Sequence, residues 1–128
     1  MNDLRAASLE YLKTIEAGGD VGVHYAPDAV QHEHPNALTP AGARRDLAGL
    51  RAAAERGKAV VAAQRYEVHS IVAQGDQVAM RVTWRGTLKV PVGKTPAGGE
   101  LLAHFGVFLR YRDGRIVEQH NYDCFPPF

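Results

Sequence analysis

Two periodicities divide this chain. Up to about Gly57, apolar residues recur at three- and four-residue steps, the mark of helices that bury one face. From Val60 onward they alternate with polar residues at a period of two, the mark of half-buried strands. The first part predicts a helix from Asp3 to Ala17, with Leu4, Ser8, Tyr11, Leu12 and Ile15 on one face. Asp3 is placed to cap it, and Gly18-Gly19 to end it. Asp20 caps a short second helix from Val21 to Tyr25, before Pro27. A short strand, Ala29 to His34, stops at Pro35. Thr39-Pro40 then opens a third helix with Leu47, Leu50 and Ala54 as its buried stripe, and Gly57 ends it.

The second part predicts long antiparallel strands. Val60 to Ala73 is one, Gly75-Asp76 a tight turn, and Gln77 to Val90 the next. In that strand Val78, Met80, Val82 and Trp84 share one face, while Arg81, Thr83 and Arg85 share the other. Pro91 to Gly99 reads as a mobile loop. Leu101 to Phe125 is a hairpin turning at Asp113-Gly114, a strong hairpin signal. Helices first and strands last define an α+β fold: three N-terminal helices on one face of a curved, mostly antiparallel sheet. Such a sheet leaves a conical cavity at its open end, which Phe125 and Phe128 can close or where they can meet a partner.

Composition adds limits. The 128 residues fit one domain, 1–128, with a real core. A net charge of +1 gives no basic field for nucleic acid. No apolar run approaches the ~18 residues of a membrane span, and the N-terminal residues lack a signal-peptide pattern. Cys124 is the one cysteine, so no internal disulfide can form, which fits a cytoplasmic location.

The candidate chemistry centres on the last strand. Gln119, Asn121 and Asp123 share one face, and polar groups on a face that should be buried either meet solvent or line a polar pocket. A carboxylate in an apolar cavity has its charged form disfavoured, which moves its pKa toward useful acid/base values. His32 and His34 form an H-x-H pair on one strand face. They read as acid/base partners facing Asp123, or as partly buried, hydrogen-bonded histidines. A metal site would need a third ligand from His104 or Asp123, and neither metal nor cofactor is expected. Tyr11 is either a packed core tyrosine or a pocket donor. Trp84, Met80 and Val82 form core or a wall on which a flat apolar substrate stacks. His24, His69 and His120 show no partner pattern, with His120 on the face opposite Asp123. Arg44-Arg45 reads as a solvated helix face. The outer sheet face, with Arg81, Arg85 and Phe108, suits a homodimer interface.

The order and spacing of YLKTIEAGGD, HYAPDAVQHEHP, YEVHSIVAQGDQVAMRVTWRGT and LRYRDGRIVEQHNYD resemble the nuclear-transport-factor-2-like superfamily, and most closely its SnoaL-like branch. The resemblance implies a conical α+β barrel, usually dimeric through its sheet. It also implies a hydrophobic small-molecule ligand and cofactor-free acid/base chemistry such as isomerisation, cyclisation or dehydration. The same fold also serves non-catalytic binding and interaction modules. By the resemblance, Asp123 matches the acid/base aspartate of SnoaL-like cyclases. Tyr11 matches the oxyanion-binding tyrosine of ketosteroid isomerases, and His34 occupies their general-base position. Their second oxyanion donor falls near Val107, where valine cannot donate, a departure that speaks against steroid isomerisation in its usual form.

Overall fold

A computed structural model describes residues 3–128. Helix α1 (Leu4–Glu16) is followed by a 3-10 turn (Val21–His24), β1 (Tyr25–Glu33), β2 (Ala43–Arg45), α2 (Leu47–Val60), β3 (Val61–Gln74), β4 (Gln77–Leu88), β5 (Glu100–Arg112) and β6 (Arg115–Cys124). The strands form one sheet in the order β2-β1-β6-β5-β4-β3. Every pairing is antiparallel except β1 with β6, which is parallel. The sheet curves but does not close, because its edge strands β2 and β3 do not pair with each other. Bulges between Val61 and Ala63 and between Val68 and Ser70 supply bends in β3.

Helix α1 begins where Asp3 Oδ1 accepts from the amides of Arg5 at 3.1 Å and Ala6 at 3.2 Å. Its face of Ser8, Tyr11 and Leu12 is buried against the sheet. Ser8 Oγ lies 2.8 Å from Tyr111 Oη, which joins α1 to β5. The expected alternation in β4 holds: Val78, Met80, Val82 and Trp84 are all buried. The core has two parts. One gathers Tyr11, Leu12, Met80, Val107 and Leu109 beneath α1. The other gathers Trp84, Leu88, Leu101 and Ala103 with the C-terminal Phe125 and Phe128. Tyr66 and Phe105 pack against both parts.

Three expectations need correction. The second helix is only a 3-10 turn, capped by Asp20 Oδ1 accepting from Gly22 N at 2.9 Å. The third helix does not start at Thr39-Pro40. There Asn36 Oδ1 accepts from the amides of Leu38 and Thr39, both at 3.0 Å, and makes a side-chain-closed turn instead. Gly42, at φ +70°, turns the chain back, and a Cβ there would lie 2.9 Å from the Glu33 carbonyl oxygen. The chain therefore returns as strand β2, and α2 starts only when Asp46 Oδ1 caps Gly49 N at 2.8 Å. Gly57 does not end α2, which continues to Val60. The stretch from Pro91 to Gly99 is a hydrogen-bonded extension of the β4–β5 hairpin, with Val92 and Thr95 exchanging two 3.0 Å backbone bonds.

Among the described residues no helix is long and apolar enough to cross a membrane.

Gly86 gives a direct test of packing. Its missing Cβ is replaced by the Trp84 ring, whose edge would lie 2.6 Å from a methyl group added there. Gly86→Ala is expected to lower stability by about 1–3 kcal/mol through overpacking, measured by urea unfolding. An unchanged midpoint would show that the indole moves freely.

Candidate active site

The alternation of strand β6 turns Gln119, Asn121 and Asp123 to the inner face. Gln119 is 1% exposed. Its amide sits in a closed circuit. Tyr25 Oη donates to Gln119 Oε1, so in the 2.8 Å Tyr11–Tyr25 contact Tyr11 donates and Tyr25 accepts. Gln119 Nε2 then donates to Tyr11 Oη at 3.1 Å and to Asn121 Oδ1 at 2.8 Å. Both tyrosine hydrogens stay within the circuit. Tyr11 therefore lines the cavity without a spare donor. Asn121 is held by its oxygen, and its Nδ2 has no partner among the described residues.

Asp123 lies one step further along this ladder. Its Oδ1 is buried and has no hydrogen-bond partner among the described residues. Burial raises its pKa from the ordinary aspartate value to about 7, with the negative charge of Glu33 adding to the rise and Arg45 opposing it. Glu33 itself is held below the usual glutamate range. Burial works against its ionisation, but hydrogen bonds from Asn36, Thr39 and Arg45 outweigh that effect. Arg45 Nη1 reaches Glu33 Oε1 at 2.8 Å and Gln31 Oε1 at 3.0 Å. Two carboxyl groups thus share one pocket, with one kept charged by its arginine and the other pushed toward neutrality.

The cavity holds about 440 Å³, within the range of small-molecule sites. Trp84, Phe105 and Phe125 form its aromatic wall. Trp84 and Phe105 are stacked with centroids 5.9 Å apart, and Trp84 Nε1 donates to Gln64 Oε1 at 2.9 Å. Tyr66 also lines this space, and its hydroxyl makes no hydrogen bond among the described residues. Burial first, with the neighbouring Tyr11, Asp123 and Glu16 adding to it, raises its pKa well above the usual tyrosine range, so it keeps its proton.

Four of the expected site residues besides Asp123 therefore line this space or the circuit behind it: Tyr11, Trp84, Gln119 and Asn121. Met80 does not. It is 3% exposed and lies in the core beneath α1. His32 and His34 do not face Asp123 either. The parallel register sets Gln31 beside Gln119, His32 beside His120 and Glu33 beside Asn121, and neighbours in register share a face. Gln31 and Glu33 consequently enter the cavity, while both histidines lie on the outer face. There His32 stacks on His120 at 4.5 Å, and His34 stacks on Tyr122 at 4.1 Å. Burial and the neighbouring His32 hold His120 below the ordinary histidine pKa. Among the described residues, the one grouping of three metal-donor side chains is His32, Glu118 and His120, on that outer face.

Sequence reasoning overlooked Glu33, Arg45, Gln31, Tyr25 and Tyr66. The alternation in AVQHEH separates the two faces of β1 but does not say which is inner. Arg45 was hidden because it belongs to a three-residue strand rather than to a solvated helix face. Tyr66 could have been found from the shared inward face of Gln64, Tyr66 and Val68.

An open curved α+β sheet with helices over its inner face and a pocket between them is the ketosteroid-isomerase-like architecture. The chain belongs to the SnoaL-like domain family, whose pattern matches residues 11–119. It is similar to the crystal structure of IdmH from Streptomyces antibioticus, described as a candidate polyketide cyclase. The TM-score is 0.78 at 29% identity, over 95% of this chain and 92% of that one. It is similar to AclR from Streptomyces galilaeus, described as a candidate hydroxylase, with a TM-score of 0.79 at 25% identity over 96% of this chain and 79% of that one. An NTF2-like protein of unknown function from Burkholderia pseudomallei shares the fold, with a TM-score of 0.78 at 18% identity, over 98% of this chain and 92% of that one. No curated protein sequence matches the chain.

The raised pKa of Asp123 carries a signed consequence for stability. Between the unfolded value near 4 and the folded value of about 7, the native chain holds a proton that the unfolded chain has lost. Stability therefore falls as pH rises through this window, by at most about 4 kcal/mol, and the penalty is full above it. Asp123→Asn removes the titration. Relative to the parent, the variant is expected to gain stability between pH 5 and pH 8 in urea unfolding. Parallel pH profiles for the two proteins would refute the assignment.

Proposed function

We propose that this protein is an acid/base enzyme. It acts on a hydrophobic, carbonyl-bearing metabolite, with Asp123 carrying the proton. The observation that supports this reading most is the buried, unpartnered Asp123 carboxyl, poised near neutrality beside a pocket with aromatic walls. A group with a pKa near the working pH is present in both forms and serves as base and then as acid.

In the base form, Asp123 takes a proton from a carbon next to the substrate carbonyl. The electron pair of that C–H bond moves to the carbonyl oxygen. Asn121 Nδ2 and the Tyr66 hydroxyl are the free donors for the oxyanion, because Tyr11 and Tyr25 are committed to Gln119. The protonated Asp123 then returns the proton. Return to another carbon completes an isomerisation. In a cyclisation the enolate carbon first bonds to a second carbonyl carbon, and the proton goes to the alkoxide so formed. In a dehydration the enolate electrons form a C=C bond as the C–O bond to a neighbouring hydroxyl breaks, and the proton leaves with that hydroxyl as water. Trp84, Phe105 and Phe125 hold the apolar body of the substrate. His32 and His34, on the other face of the sheet, have no part in this proton path.

The test begins with a thermal-shift screen of aromatic and alicyclic ketones, because a ligand of the native state raises the melting temperature. For a binder that turns over, Asp123→Asn should lower kcat by about 10²- to 10⁴-fold while binding changes little. The acid limb of kcat/KM should lie near pH 7, and Glu33→Gln should move it to lower pH by removing the charge that raises Asp123. Unchanged turnover in Asp123→Asn would remove the proposal. A ligand that binds tightly but never exchanges protons with solvent would favour a binding module on the same cavity.

We also propose that two copies associate through the outer sheet face. Phe108 at 49% exposed and Tyr122 at 46% form an edge-to-face pair there, an aromatic patch with no cover in a single chain. Sedimentation should give a dimer, and Phe108→Glu with Tyr122→Glu should give a monomer. A monomeric parent would end this reading.

A further inference from the structure

We propose that the outer face of the sheet carries a site for a late first-row transition-metal dication, held by His32, His120 and Glu118. This site is separate from the cavity and independent of the acid/base reading. A ring nitrogen from each histidine and a carboxylate oxygen of Glu118 lie within 4.8 Å of one another. All three side chains are half-buried and come from two adjacent strands, so the sheet holds their backbones in fixed relation. Two imidazoles and one carboxylate are a ligand set that suits Zn²⁺ and its neighbours and leaves a fourth position for water.

The ladder around the site is already arranged for ligation. His34 Nε2 and His120 Nδ1 are 2.9 Å apart. With His120 donating to His34, His120 Nε2 keeps a free lone pair. A histidine whose second nitrogen donates to a fixed acceptor is the usual form of a metal ligand. His34 is then a positioning residue, itself braced by its stack on Tyr122. The stack of His32 on His120 has the two rings 8° from parallel. In that arrangement the in-plane lone pairs run side by side. Binding therefore requires one ring to turn and the donors to draw in, since atoms on one Zn²⁺ sit roughly 3.3 Å apart. Glu118 must also loosen its 3.6 Å pairing with Arg110, an exposed contact that contributes little.

Zn²⁺ titration of the untagged chain, followed by calorimetry, should show one saturable ion per chain. Mg²⁺, which seeks oxygen ligands, should show none. His32→Ala and Glu118→Gln should each weaken Zn²⁺ at least about tenfold, and His34→Ala should weaken it by about 10- to 100-fold through loss of the hydrogen bond. His69→Ala is the control, because His69 bonds Thr83 elsewhere on the sheet at 2.7 Å, and it should leave binding unchanged. Melting temperatures in chelator establish that each variant is folded. Absence of a saturable Zn²⁺ heat would overturn the proposal. So would equal affinity in folded His32→Ala and Glu118→Gln, or a loss that tracks His69 instead.

Discussion

A buried amide governs the inner face of this sheet. Gln119 has both a donor and an acceptor under α1, where water cannot reach them. Leaving either group unpaired would cost about 1–3 kcal/mol. Tyr11 from the first helix and Tyr25 from the first strand answer them, and the three side chains close a circuit. That circuit links α1, β1 and β6 across gaps that apolar packing alone would leave free to slide. It also determines which polar groups remain. Tyr11 and Tyr25 spend their hydrogens inside it, so the free polar atoms appear only beyond it, at Asn121 and Asp123.

The polarity of the site follows from where the circuit stops. Asn121 is oriented by Gln119, which leaves its Nδ2 unpartnered. Asp123 comes next, past the reach of the amide, and among the described residues no donor meets its Oδ1. A carboxylate in that position would keep an ordinary pKa if a cation paired with it directly. The nearby cation, Arg45, is instead bound to Glu33 and Gln31. Glu33 takes the ion pair, and Asp123 is left with its pKa raised to about 7. Two acids in one pocket thereby have their pKa values moved in opposite directions, the condition under which a single pocket can offer both a fixed charge and a mobile proton.

Much of this was legible in the chain. The change of period near Val60, the Asp113-Gly114 turn and the alternation in β4 and β6 follow from local steric rules, and those parts of the fold appear as expected. The inward set of Gln119, Asn121 and Asp123 was legible for the same reason, since alternation along one long strand is unambiguous once its apolar face is known. The short strand β1 lacks that reference. Its Val30 suggests that the even positions face inward. The face is in fact decided by the parallel register with β6 and by Ala29, which is 1% exposed. From Tyr25 to Val30 β1 advances five residues while β6 advances two, from Ile116 to Glu118, a break that no period can reveal. The third helix failed for a related reason. Thr39-Pro40 has good helix-start chemistry, but Asn36 competes for the same amides and wins.

The mistaken face of the histidines exposes how the two sides of β6 divide their chemistry. On the inner side, each polar group is either satisfied by the circuit or left facing the cavity. On the outer side, His32, His120, His34 and Tyr122 form a continuous stack of rings across two strands. Imidazoles on an exposed sheet face gain little from burial, so the hydrophobic effect alone does not account for such a stack. One hydrogen bond, between His120 Nδ1 and His34 Nε2, breaks its symmetry and assigns different roles to the two nitrogens of His120. The inner ladder ends on a carboxyl oxygen that meets no donor among the described residues, and the outer one on a His120 nitrogen, Nε2, that is not engaged by His34. Both are lone pairs held in place by the same strand, on opposite faces of the one sheet.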